Sequence, residues 1–417
     1  MFDDNLPSEQ RAEGNYIAQA DRGGIATVNV TLSDSLTPAE KRNRNEMLRK
    51  IQERIEQKLK TSLYNNFMLD ISLQYWSDVV IYAKEIEFTE STEDNILHCF
   101  DVNDGKLLIL GEPGSGKTIL LFSLASSLVN RAISDISSSI PVILNLSSWS
   151  NKLKSLDEWI SEELYNKYDV SNNLSRKWLN DNTLILLLDG LDEVADKSRA
   201  ECIENINEFR SRYHAQMVIC TREQEYEALE EQLMLQGAVL VQPPSDEQIN
   251  SYLSQPGLEG LQIVVGESEQ LHELLKNILT LDIMSKTYRN MSPAIVSDFV
   301  KEAISKHPNN TLDFSFFRRK LFHDYIQRMF DHHLTKSFQT KRSVNSPNNL
   351  SKQEPIRQAT LDWLGWLAHR MVNHNETILF FENIQPSWLE RRGQRFIYHF
   401  GSSGLAVNAP RCRNCIA

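Results

Sequence analysis

The stretch Gly111-Glu-Pro-Gly-Ser-Gly-Lys117-Thr118 constrains this chain more than any other part of it. Its glycines let the backbone bend tightly and turn successive N–H groups toward one point, which makes a nest for an anion. A short apolar run, Lys106–Leu110, leads into it, and a helical pattern from Lys117 to about Arg131 follows. The turn therefore opens a helix at its N-terminus, where the peptide dipoles attract negative charge as well. Strand, glycine turn, lysine and hydroxyl in that order predict a phosphate-binding loop made of Gly111, Glu112, Pro113, Gly114, Ser115, Gly116, Lys117 and Thr118. Lys117 is expected to reach the β- and γ-phosphates and the Thr118 hydroxyl to ligate magnesium.

A second signal agrees with the first. The continuous apolar run Thr183–Leu188, a strand buried on both faces, passes directly into Asp189-Gly190-Leu191-Asp192-Glu193. A carboxylate at the carboxyl end of such a strand is placed to hold hydrated magnesium beside the loop, so Asp189 is the expected metal partner of Thr118. Asp192 or Glu193 is then available to orient or deprotonate the attacking water; the sequence leaves both open and Glu193 is preferred. A third strand, Gln216–Cys220, ends in Thr221-Arg222, and Arg222 is expected to sense the γ-phosphate. The N-K-x-D pattern of guanine binders is missing downstream, so ATP/ADP with Mg2+ are the expected cofactors.

The flanking pattern sets the fold class. Further strands are predicted at Ile140–Leu146 and Ala238–Val241, with helices at Leu156–Tyr168 and Ala200–Tyr213. Strands alternating with helices imply a parallel sheet covered by helices on both faces, an α/β P-loop NTPase fold. After Pro243–Pro244 the pattern becomes helical, with helices expected at Asp246–Leu253, Glu267–Lys276, Phe314–His332 and Pro355–Asn373. In the last of these, Leu361, Trp363, Leu364, Trp366, Leu367 and Met371 are expected to be core. Before the sheet, Thr37-Pro38 opens an amphipathic helix with Met47, Ile51, Ile55 and Leu59 on one face, expected to dock on its own domain or, as the alternative, to bind a partner. Its basic residues alternate with Glu40, Glu46, Glu53 and Glu56, which dilutes any field for nucleic acid. Domains follow as 1–36, a flexible polar N-terminus; 37–95, a helical N-terminal module; 96–242, the P-loop domain; 243–310, a small helical domain; 311–400, a winged-helix-like region with an internal linker at 336–355; and 401–417, an irregular tail.

Composition trims the functions. A net charge of −12 argues against wholesale binding of nucleic acid. The longest apolar runs fall far short of the ~20 residues of a membrane-spanning helix. The start, MFDDNLPSEQ, carries no secretory or transit pattern. Five scattered cysteines make no disulfide framework, so a cytoplasmic location is expected, with Cys99, Cys202 and Cys220 as packing residues. Cys412-Arg-Asn-Cys415 lacks a second pair, and His332, His333, His369 and His374 lack a ligand constellation.

GEPGSGKTILL, IPVILNLSSWS, LILLLDGLDEV and VICTREQEYEAL, in that order and spacing, resemble the NACHT domain, a signal-transduction ATPase of the STAND class. The similarity runs from about Asn95 to His399 and is closest to bacterial, cyanobacterial-type members, some of which act in anti-phage defence. It implies an ADP-held resting state, a helical domain and a winged-helix domain, exchange for ATP, and self-association on activation through an unidentified trigger or effector. The resemblance also suggests a nucleotide contact from His399. Two departures stand out. Ile278, in Leu271-His-Glu-Leu-Leu-Lys-Asn-Ile278-Leu279, occupies the place of a family proline near the adenine. Relatives also continue past a WLERRGQRFIYHF-like segment into membrane-spanning helices or repeats, whereas here GSSGLAVNAPRCRNCIA ends the sequence, as expected of a truncated or shortened form. The readings carried forward are a slow ATPase switch, a remodelling ATPase of AAA+ type, and a scaffold with structural nucleotide.

Overall fold

The computed structural model describes residues 36–61, 72–76, 79–81, 95–149, 155–305, 314–340 and 350–373. Along these the chain runs α1 (Pro38–Thr61), β1 (Leu73–Tyr75), α2 (Asn95–Val102), β2 (Lys106–Gly111), α3 (Lys117–Ser134), β3 (Ile140–Asn145), α4 (Leu156–Tyr168), α5 (Asn172–Asn180) and β4 (Leu184–Asp189). It continues through α6 (Asp196–Tyr213), β5 (Gln216–Arg222), α7 (Glu223–Glu227) and β6 (Gly237–Val241). Helices follow: α8 (Asp246–Leu253), α9 (Glu259–Gly266), α10 (Glu269–Leu275), α11 (Ile278–Tyr288), α12 (Pro293–Ser305), α13 (Phe314–Thr340) and α14 (Leu350–Asn373).

The strands form one six-stranded sheet in the order β1-β6-β2-β5-β4-β3. All neighbours are parallel except β1, which runs antiparallel along β6 with Leu73 opposite Val241. From β2 the chain crosses to the far edge at β3, then steps back through β4 and β5 and on to β6. Parallel crossovers are right-handed, so reversing the direction of travel moves the connecting helices to the other face. α3 therefore covers one face and α4 to α7 the other, in accord with the packing of α3 on α1 and α2 and of α4 on α5 and α6. Both faces being covered, the runs Leu107–Leu110, Leu184–Leu188 and Met217–Cys220 are buried without alternation.

α1 lays Met47, Leu48, Ile51 and Ile55 into the same core. It is fastened by charge as well: Arg44 Nη2 donates to the carbonyls of Ala132 (2.9 Å) and Ser138 (2.6 Å) at the end of α3. Lys50 Nζ reaches the Tyr168 carbonyl at 2.8 Å, and Lys177 pairs with Glu40. Residues 37–95, set apart by sequence as a helical module, thus give α1 and β1 to the sheet's own core. A second apolar cluster, with Tyr252, Leu261, Leu271, Leu281, Met284 and Phe317, gathers α8 to α13.

Two expectations are corrected. The linker at 336–355 is helical at both described ends, as α13 runs to Thr340 and α14 starts at Leu350. Lys, Gln and Glu there are good helix formers, which the Ser/Asn/Pro count obscures. In α14 Trp363 is 70% and Leu364 51% exposed rather than core; among the described residues nothing lies over that face. The other four apolar residues of that stripe are half-buried. The 1–35 segment, His374, His399, Cys412, Cys415 and the tail lie outside the described residues; the described part of 311–400 is α13 and α14. No described helix is long and apolar enough to cross a membrane.

Candidate functional site

β2, β4 and β5 lie side by side and deliver their carboxyl ends to one edge of the sheet. Gly111 is in register with Arg222 on β5, and Asn145 on β3 with Asp189 on β4. The phosphate loop spans the gap from β2 to α3, so residues far apart in sequence converge where the strands end.

Lys117 opens α3 and folds back along the loop, its Nζ donating to the carbonyls of Gly111 (2.7 Å) and Glu112 (2.8 Å). Burial lowers its pKa, with Arg222 acting in the same direction, while Asp192 and Asp189 oppose the shift. The Thr118 hydroxyl donates to Asp189 Oδ2 at 2.9 Å, joining the two residues expected to share magnesium. Burial pushes the Asp189 carboxyl up to about 6, helped by the negative charges of Glu193 and Asp192 and resisted by Thr118 and Lys117. The Ser115 hydroxyl, buried inside the loop, has no hydrogen-bond partner among the described residues. A buried hydroxyl left without a partner inside the loop fits a phosphate oxygen as its acceptor.

Beyond Asp189 the chain turns through Gly190, at φ +77°, into a 3-10 turn over Leu191–Glu193. A Cβ at Gly190 would stand 2.9 Å from Glu193 Cδ, so the glycine both adopts the left-handed turn and leaves room for the glutamate to fold back. Asp192 and Glu193 then part company. Arg222 Nε pairs with Asp192 Oδ2 at 2.8 Å while its Nη1 holds Glu225 at 3.1 Å. Glu193 Oε2 accepts from Asn145 Nδ2 at 3.2 Å.

The loop residues, Asp189, Asp192, Glu193 and Arg222 therefore meet at this edge, while His399 lies outside the described residues. Three others do so unforeseen. Asn145 ends β3 beside Asp189, with its Oδ1 anchored by the Ser147 N–H at 2.7 Å. Arg199 on α6 grips the acidic turn through the carbonyls of Asp192 (2.8 Å) and Val194 (3.1 Å). Asn277, from the helical region, donates to the Pro113 carbonyl at 2.8 Å. A polar residue closing an apolar strand was the available signal for Asn145; nothing local marks Arg199 or Asn277. Cys99, Cys202 and Cys220 are buried free thiols. Burial pushes Cys99 and Cys202 up to about 12 and raises Cys220 too, so they act as packing residues.

The oxygen set fits magnesium. Thr118 and Asp189 are hard donors, and among the described residues no three His, Cys, Asp or Glu side chains gather into a metal cage. A cation held by one carboxylate and one hydroxyl completes its shell with water and phosphate oxygens, as magnesium does.

Comparison with known proteins agrees at the level of the domain. Residues 106–256 match the NACHT domain family. No curated protein matches the chain. Among solved structures, C. elegans PCH-2 is 18% identical at a TM-score of 0.25, over 57% of this chain and 64% of that one. The Aeropyrum pernix ORC1 protein, solved in complex with DNA, is 15% identical at a TM-score of 0.29, over 49% of this chain and 63% of that one. The chain thus spans less than two thirds of either, and likeness so loose says nothing of function. The six-stranded P-loop sheet, the convergent site and the family match agree: residues 106–256 are similar to the NACHT domain, on an α/β P-loop fold.

Proposed function

We propose that the chain is an ATP-binding, slowly hydrolysing NACHT switch that rests with ADP and self-associates with ATP. The observation that carries this reading is the Thr118–Asp189 hydrogen bond beneath the phosphate loop, with Glu193 and Asp192 on the next turn. Magnesium, when bound, would be held by Thr118 and Asp189 and would neutralise charge on the terminal phosphates. The loop amides and Lys117 bind the β- and γ-phosphoryl oxygens and stabilise charge that builds during transfer. Glu193, whose carboxylate is steered by Asn145, takes the role of base toward the attacking water. Asp192 is engaged by Arg222, which gives the pair a positioning role and leaves Arg222 at the strand end where it can respond to the γ-phosphate.

Support for a switch over a continuously turning remodelling enzyme comes from two contacts. Arg222 is held within its own chain by Asp192 and Glu225, and the helical region touches the loop itself through Asn277. The NACHT resemblance supplies the setting, signal transduction in defence through an effector of unidentified kind, and the buried thiols support a reducing cytoplasm.

The test is the mass of the purified chain in solution, with its nucleotide identified, before and after Mg·ATP and beside Lys117→Ala. An ADP-loaded monomer that assembles with ATP, and a variant that does neither, are expected. Steady multiple turnover with no change of mass would favour the remodelling reading. Unchanged behaviour on losing Lys117 would leave only a scaffold.

A further inference from the structure

The helical region does more than flank the loop. Asn277 caps α11: its Oδ1 accepts from Thr280 N–H at 3.1 Å, the ordinary duty of an asparagine at that position. Its other side-chain atom, Nδ2, donates to the Pro113 carbonyl at 2.8 Å. Two residues on, the Leu279 N–H, one of the amides a helix start cannot satisfy internally, donates to the Gly114 carbonyl at 3.2 Å. The fit is close. A Cβ at Gly114, φ +79°, would stand 2.9 Å from Asn277 Oδ1 and 3.0 Å from Leu279 Cβ.

A trans peptide unit is planar, with its C=O and the following N–H pointing opposite ways. Holding the Pro113 carbonyl toward α11 therefore fixes the Gly114 N–H, an amide of the phosphate nest. Holding the Gly114 carbonyl fixes the Ser115 N–H, which donates to the Glu112 carbonyl at 3.2 Å and closes the turn of the loop. We infer that Asn277 is a positioning residue that, with the Leu279 N–H, sets the amide directions of the phosphate loop from the side opposite the ligand, and so couples nucleotide binding to the seating of α8 to α13. The coupling is reciprocal: phosphate on the loop firms the hold on α11, and release of α11 loosens the nest. This rests on the reading of the loop as a nucleotide site.

The experiment uses the full chain and Mg·ADP carrying a fluorescent ribose label. Asn277→Ser and Asn277→Asp both keep an oxygen for the Thr280 N–H, so α11 stays capped. The aspartate cannot donate to Pro113, and the serine is too short to reach it from the cap. The expected result is an affinity about three- to tenfold weaker in both, the span of one lost neutral hydrogen bond, with the helical circular dichroism unchanged. Hydrogen exchange of residues 278–281 should slow in the wild type when Mg·ADP is added, and slow less in the variants. Equal affinity in all three proteins, or wild-type exchange at 278–281 that ignores nucleotide, overturns the coupling. Binding that is the same in wild type and Lys117→Ala would instead remove the nucleotide site itself.

Discussion

The hydroxyl of Thr118 lies 2.9 Å from Asp189 Oδ2, although 71 residues separate the two in the chain. One opens α3 and the other closes β4, and only the strand order, with β5 inserted between β2 and β4, brings those ends to a single edge.

Lys117→Ala removes the loop's cation and its bonds to the Gly111 and Glu112 carbonyls. A charge-assisted contact to phosphate is worth ~3 kcal/mol, so nucleotide affinity should fall about 100-fold or more. Titration calorimetry with Mg·ATP measures it; a drop under threefold would take Lys117 out of the site.

Glu193→Gln should bind Mg·ATP near wild-type strength and hydrolyse it about 100-fold more slowly or worse, the usual contribution of a positioned base. Asn145→Ala removes the amide hydrogen bond to Glu193 Oε2 and should lower kcat about tenfold with little change in KM. Single-turnover rates decide both. Equal turnover in Glu193→Gln would pass the role to Asp192.

Asp189 carries a pH signature. Its carboxyl is raised from 3.8 to about 6, chiefly by burial, so the folded chain keeps that proton longer than the unfolded one. The unfolded state then binds fewer protons across this window, and stability falls as pH rises through it. Without nucleotide the chain should melt higher at pH 5 than at pH 7, and Asp189→Asn should flatten the difference. Mg·ADP binding should run the other way, weakening as pH drops below about 6. Matching melting profiles for wild type and variant would sink the assignment.

Ile278 stands at the first position of α11, directly after Asn277, whose φ of −86° and ψ of 115° lie in the extended region. Proline is favoured at that position and demands extended backbone before it, so Ile278→Pro fits the helix start. The cost is the buried side chain, 7% exposed in the second core. A loss of about 1–2 kcal/mol in urea unfolding is expected, with α11 intact. A collapse of helical circular dichroism would show that the family's proline and this isoleucine are not interchangeable.

Arg44→Leu would leave the Ala132 and Ser138 carbonyls at the end of α3 without their donor. Stranding two partly buried acceptors should cost about 2–4 kcal/mol. Limited proteolysis should then cut within α1 first. If α1 stays protected, its apolar face alone holds it down.

Much of this was legible in the sequence because the signals were local. The glycine loop, the apolar run into Asp189 and the Thr221-Arg222 strand end each declare themselves within a few residues. The short elements were harder. β1 has three residues and earns its place only by pairing with β6, while α14 reads as core by its aromatics although Trp363 faces outward. A pattern reports that one face is apolar; it cannot say what covers it.

The sequence by itself determined the chemistry: a nest of amides, one lysine, one hydroxyl and a cluster of acids, each at the end of an element fixed by local backbone preference. Only the tertiary structure decided how those acids divide, with Asp192 drawn to Arg222 and Glu193 to Asn145, and that Asn277 reaches across from α11 to the loop. Those are contacts between distant segments, and they exist because sheet order and helix packing place side chains within 2.8–3.2 Å of partners that nothing in the neighbouring residues could specify.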